Sequence, residues 1–101
     1  MPYATPLTDD ELAQALARLP DWTRDGATLS RTVDLADFRA AVALVNMVAD
    51  AAEAANHHPD ILVHGYRHVT FTLSTHAAKA LTAHDVDLAA EIDRLVAGHD
   101  A

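Results

Sequence analysis

With 101 residues, half of them hydrophobic and none a cysteine, the chain has the size of one domain and can bury a core without cross-links. The lack of cysteine excludes thiol nucleophiles, cysteine-based zinc sites and redox switching together. Fifteen acidic residues against seven basic ones give a formal charge of −8, which repels phosphate backbones, and the single lysine, Lys79, belongs to no basic cluster that could offset it.

Thr8-Asp9-Asp10-Glu11 has the spacing of a capping box, and Leu12, Leu16 and Leu19 recur at helical intervals, so a first helix is predicted, closed by Pro20. Asp25-Gly26 suits a two-residue hairpin and separates a strand over 21–24 from one over 27–33. In the latter, Leu29, Arg31 and Val33 alternate with Thr28, Ser30 and Thr32. Asp34 is placed to cap a long helix over 35–56 with the stripe Leu35, Phe38, Val42, Val45, Ala49 and Ala52. Pro59 disfavours helix at His58 and ends it. Two more strands, over 61–64 and 68–75, join around Gly65; Val69, Phe71 and Leu73 face one way, Thr70, Thr72 and Ser74 the other. A second capping box, Thr82-Ala83-His84-Asp85, opens a helix with the stripe Leu88, Ile92 and Leu95, which Gly98 is placed to stop. The order α-β-β-α-β-β-α predicts an α+β fold: a four-stranded antiparallel sheet with three helices packed on one face, in a single domain over 1–101.

The chemistry is concentrated in Glu53-Ala54-Ala55-Asn56-His57-His58-Pro59, with a third histidine, His76, at a strand end. Imidazole gives or takes a proton near neutral pH without much tuning, so a compact trio is a candidate acid–base site. A helix C-terminus explains one histidine structurally but does not need two in succession. His68 lies eight residues before His76, roughly 26 Å along a strand, and is assigned to the surface. His64, His84 and His99 are read as solvated. Glu53 is an i,i+4 partner for His57, and Asp85 is explained by its capping box unless the fold brings it to the histidines. Trp22 is either a core anchor, the preferred reading, or the stacking wall of a pocket for a flat heterocycle. A metal site is the competing reading, but adjacent histidines seldom aim at one ion and no H-E-x-x-H set is present.

Together these residues resemble the pterin-4a-carbinolamine dehydratase family, some of whose animal members double as dimerisation cofactors of a homeodomain transcription factor. The resemblance runs from the first helix through Leu95. It rests on an acidic residue, three intervening positions, His-His-Pro, an aromatic, a further histidine and an aspartate: here Glu53, His57-His58-Pro59, Tyr66, His76 and Asp85. Leu81-Thr82-Ala83-His84-Asp85 also matches the family's Leu-Thr-x-x-Asp. The resemblance implies dehydration of 4a-hydroxytetrahydropterin to quinonoid dihydropterin, which recycles the cofactor of aromatic amino acid hydroxylases. It implies catalytic roles for His57, His58 and His76, supported by Glu53 and Asp85, with Pro59 and the Thr75, Ala77, Ala78 segment shaping the pocket and no metal or organic cofactor. Three departures stand out: one extra residue between Pro59 and Tyr66, Asp60-Ile61 for an acidic–aromatic pair, and Lys79-Ala80 where a glycine pair is usual. The last motivates an alternative, a non-catalytic regulatory or assembly protein on the same fold. Small apolar residues on several faces of the long helix and an open strand edge suggest self-association, and the resemblance implies a homodimer or homotetramer. No stretch approaches the ~20 apolar residues that span a bilayer. The start, Met1-Pro2-Tyr3-Ala4-Thr5-Pro6, lacks the pattern of a secretion signal, so a cytoplasmic protein is expected.

Overall fold

The computed structural model describes residues 5–99. Helix α1 spans Asp9–Ala17, and both halves of its capping box form: the Thr8 N–H donates to Glu11 Oε1 at 2.9 Å and the Glu11 N–H to Thr8 Oγ1 at 3.1 Å. The helix stops two residues before Leu19, which is buried beyond its end. Strand β1 (Thr23–Asp25) and strand β2 (Thr28–Asp34) then form a hairpin in which Asp25 pairs with Thr28. The two-residue loop is therefore Gly26-Ala27 and not Asp25-Gly26. Gly26 supplies the positive φ of 57° that the turn requires, and Asp25 belongs to the strand.

Helix α2 runs Phe38–Ala55, and its cap is Asp37, whose Oδ1 accepts the Ala40 N–H at 2.8 Å. The expected cap, Asp34, is the last residue of β2 and is taken up by strand pairing with His68. The buried stripe is Ala41, Leu44, Val48 and Ala52, one step around the helix from the expected one. Phe38 is 55% exposed and Val42 38%. The helix is terminated by Asn56 in the left-handed conformation (φ 52°, ψ 41°), ahead of Pro59. The His57 N–H reaches back to the Ala52 carbonyl at 3.1 Å and the Asn56 N–H to that of Glu53 at 3.2 Å, the paired bonds of a Schellman stop.

Strands β3 (Asp60–His64) and β4 (His68–Leu73) form the second hairpin through Gly65, Tyr66 and Arg67, the first two with φ near 55°. The last strand ends two residues short of the expected Thr75, which instead closes a small loop by bridging to Ala80. Helix α3 spans Ala83–His99 and continues through Gly98; one glycine costs a helix only about 1 kcal/mol and does not oblige it to end.

All strand pairs are antiparallel, in the order β1-β2-β4-β3. The pairing Leu29–Leu73, Arg31–Phe71–Ile61 and Val33–Val69–Val63 puts these side chains on one face. There the apolar ones meet Leu44, Val48, Leu88 and Ile92 of the helices in one core. Asp34, Thr32, Ser30 and Thr28, with Thr70 and Thr72, line the other face, which no helix among the described residues covers. The architecture is the expected α+β fold, and its open face is polar.

Candidate active site

The turn at Asn56 decides where the two adjacent histidines go. Once α2 has been stopped by a left-handed residue, His57 turns inward and His58 outward. His57 keeps only 11% of its side chain exposed, against 59% for His58. His58 Nε2 lies 2.5 Å from Glu53 Oε2, so the glutamate of the motif pairs with His58 and not with His57. His58 and His76 then line one cleft of about 250 Å³ on the open side of the sheet, together with Thr28, Asp60, Thr72 and Ser74. Those four come from β2, β3, β4 and the segment just after β4. Sequence reasoning missed them as site residues, although the alternation along β2 and β4 already placed Thr28, Thr72 and Ser74 on the polar face.

His57 does not line that cleft. Its Nε2 meets Oδ1 of Asp85, a fully buried carboxylate, at 2.7 Å. The other oxygen, Oδ2, accepts from Thr75 Oγ1 at 2.8 Å and from the Thr82 N–H at 2.9 Å. Thr82 Oγ1 lies 2.7 Å from Thr75 Oγ1. Asp85 thus makes only half of its capping box and spends the rest of its hydrogen bonding on the histidine and the strand end. Asp85, 28 positions beyond His57, ties the end of α2 to the residue preceding His76. His84 is half-buried, contrary to the solvated reading, and its ring stacks on that of His57 with centroids 5.1 Å apart.

The remaining expected site residues fall outside the cleft. Trp22 is buried in the core and its Nε1–H donates to Asp93 of α3 at 2.8 Å, with Arg31 on the same carboxylate. Pro59, Ala77 and Ala78 flank the cleft residues in sequence without lining it, and Thr75 is buried in the Asp85 network. His64 and His68 form a separate pair at the far hairpin, held by Thr70 and Asp34. Among the described residues no group of three or more histidines and carboxylates is disposed to hold a metal ion. A larger groove of about 510 Å³ runs between α2 and α3, with an alanine floor (Ala51, Ala54, Ala55) and the heads of His84, Asp87 and Glu91. It contains neither His58 nor His76. The smaller cleft is the better candidate because the polar groups converge there.

A small antiparallel α+β domain with a histidine-lined cleft on its open face is the class these observations define. The chain belongs to the pterin 4 alpha carbinolamine dehydratase family, whose family model matches residues 5–95. A protein of Nocardia farcinica, provisionally named a pterin-4-alpha-carbinolamine dehydratase, is 58% identical over 89 residues, covering 88% of this chain and 93% of that one. One of Roseiflexus castenholzii with the same provisional name is 48% identical over 90 residues, 89% of this chain and 96% of that one. The crystal structure of a transcriptional coactivator/pterin dehydratase from Brucella melitensis superposes with a TM-score of 0.85 at 28% identity, over 91% of this chain and 99% of that one. A pterin dehydratase-like protein described as a RuBisCO assembly factor in the alpha-carboxysome shares the fold, with a TM-score of 0.61 at 21% identity over 74% of this chain and 86% of that one. No helix among the described residues is long and apolar enough to cross a membrane.

Proposed function

We propose that the chain catalyses dehydration of 4a-hydroxytetrahydropterin to quinonoid dihydropterin and water, by histidine acid–base chemistry, in recycling the pterin cofactor of aromatic amino acid hydroxylases. The observation that carries this reading is the shared cleft of His58 and His76 in a chain of this family. The reaction needs one proton delivered to the departing 4a-hydroxyl and one removed from a ring nitrogen, so a pair of imidazoles across a cleft suffices in kind. The Glu53 carboxylate, 2.5 Å from His58, stabilises the imidazolium that forms when His58 takes the ring proton, which favours His58 as base. His76 has no carboxylate partner among the described residues and is the acid on the hydroxyl. His57, held by Asp85, is the third proton-carrying ring of the motif. The polar hydroxyls of Thr28, Thr72 and Ser74 offer hydrogen bonds to the heterocycle.

Replacing His58 or His76 by alanine is expected to leave the fold intact and to lower the stimulated dehydration rate by about 10²–10⁴-fold, the range of a lost general acid or base. Wild-type protein that stimulates dehydration no better than both variants overturns the reading. A second reading, a regulatory or assembly protein without catalysis, is favoured by Lys79-Ala80 in place of the family's glycines. Calorimetry showing partner binding but no heat on titration with a reduced pterin selects it.

A further inference from the structure

We propose that Thr82 and Thr75 form a one-way hydroxyl relay that orients Asp85 and thereby fixes the proton of His57 on Nε2, making both threonines positioning residues. The direction of the relay follows from counting donors. A carboxylate only accepts, and a threonine hydroxyl has one proton to give. Thr75 Oγ1 donates to Asp85 Oδ2 at 2.8 Å, so the 2.7 Å contact between the two threonine oxygens is filled by the Thr82 proton. Thr82 Oγ1 in turn accepts the His84 N–H at 3.3 Å. Every bond therefore points toward Asp85: from Thr82 to Thr75, from Thr75 to Oδ2, and from the Thr82 N–H to Oδ2. With Oδ2 doubly occupied, Oδ1 is left facing His57 Nε2 at 2.7 Å, and that nitrogen carries the proton. Nδ1 of the neutral ring is then the basic nitrogen.

All three members of the relay are buried, Thr82 and Asp85 completely. No buried side-chain nitrogen or oxygen among the described residues lacks a partner, so the chain of bonds has no slack. Removing one hydroxyl leaves the next group in line unsatisfied in a buried setting and loosens the hold on the carboxylate's orientation. The capping role of Asp85 does not call for Thr75; the relay does. Its meaning for catalysis rests on the dehydratase reading, whereas its existence does not.

The test separates the two. The imidazole Nε2–H of His57 is followed by proton–nitrogen NMR in the wild type and in Thr75→Val and Thr75→Ser, with the His68–Asp34 pair as an internal control. The relay requires a slowly exchanging His57 Nε2–H in wild type and Thr75→Ser. In Thr75→Val, exchange is expected to be about tenfold faster, in line with the loss of an outer-shell orienting bond, while His68 is unchanged. In the same variant kcat should fall about tenfold with KM near the wild-type value, and Thr75→Ser should restore it. Should valine at 75 prevent folding, Thr82→Ala gives the same reading at smaller size, because Thr75 keeps its bond to Asp85 but loses its own donor. Wild-type exchange in either folded variant, or an unprotected His57 proton in the wild type, overturns the relay. An inactive wild type overturns the dehydratase reading and leaves the exchange measurement to decide the relay alone.

Discussion

Two residues outside the histidine set control the site through backbone conformation. Asn56 and Lys79 both adopt left-handed φ values, 52° and 51°. Asparagine tolerates this region because its short polar side chain bonds locally, and lysine has no such compensation. At Asn56 the left-handed turn sends His57 toward Asp85 and His58 toward the cleft. At Lys79 it closes the loop that follows His76. Replacing Lys79 by glycine is therefore expected to raise unfolding stability by about 0.5–1 kcal/mol, the usual difference at a left-handed position. Asn56→Ala should lower stability by a similar amount and, by letting the helix run on, also disturb the cleft. Urea denaturation of both variants checks the signs. A Lys79→Gly protein less stable than the wild type would show that the lysine makes a compensating contact. The glycine that the resemblance implies at this place would have a backbone reason, which Lys79 overrides.

At the scale of elements, the first capping box and the strand alternation are legible in the sequence, and the start and buried face of α2 are not. Thr8 and Glu11 are local to each other, so spacing alone identified their box. Alternation along β2 and β4 likewise placed the polar face correctly, because period-two patterns do not depend on where the strand begins. The start of α2 depended on whether Asp34 belonged to the strand, which is a tertiary matter settled by its partner His68. The buried stripe is not legible because Phe38 and Val42 point outward while Ala41, Leu44, Val48 and Ala52 face the core. His57 and His58 could not be told apart in sequence, since a single residue's φ separates them. A direct comparison follows: Asp37→Ala is expected to cost about 1 kcal/mol, the value of an N-cap, while Asp34→Ala removes only an exposed pair with His68 and should cost about 0.5 kcal/mol or less. The other cap has a pH signature. The backbone and side chain of Thr8 donate to Glu11 and hold its carboxyl below the usual value of 4.5. A lowered native pKa stabilises the fold above the unfolded value, and that contribution fades as pH falls through the native one. The stability gap between wild type and Glu11→Gln should therefore narrow below pH 4.5 and be constant above it.

At the scale of the molecule, the sheet has one face sealed by helices and one left polar, and the cleft sits where the polar face meets the end of α2. This division leaves some apolar side chains exposed among the described residues. Phe38 and Val42 lie on the outer side of α2 beside Arg39 and Asn46, and Leu62, 59% exposed, stands on edge strand β3 among polar neighbours. Side chains of this size in solvent are common singly, but a pair one helical turn apart beside an open groove is what a contact between copies would use. The family resemblance implied a homodimer or homotetramer, and these residues are where such a contact would be felt. If copies associate through this face, replacing Phe38 and Val42 together by aspartate should give a smaller species than the wild type in sedimentation velocity, because two new charges would be buried without partners in such an assembly. Both side chains lie outside the core cluster, so unfolding of the dissociated chain should change by less than about 1 kcal/mol. A double variant that sediments like the wild type would move the contact to the β3 edge. There Leu62→Lys becomes the decisive substitution, since a charge on an edge strand opposes pairing between sheets.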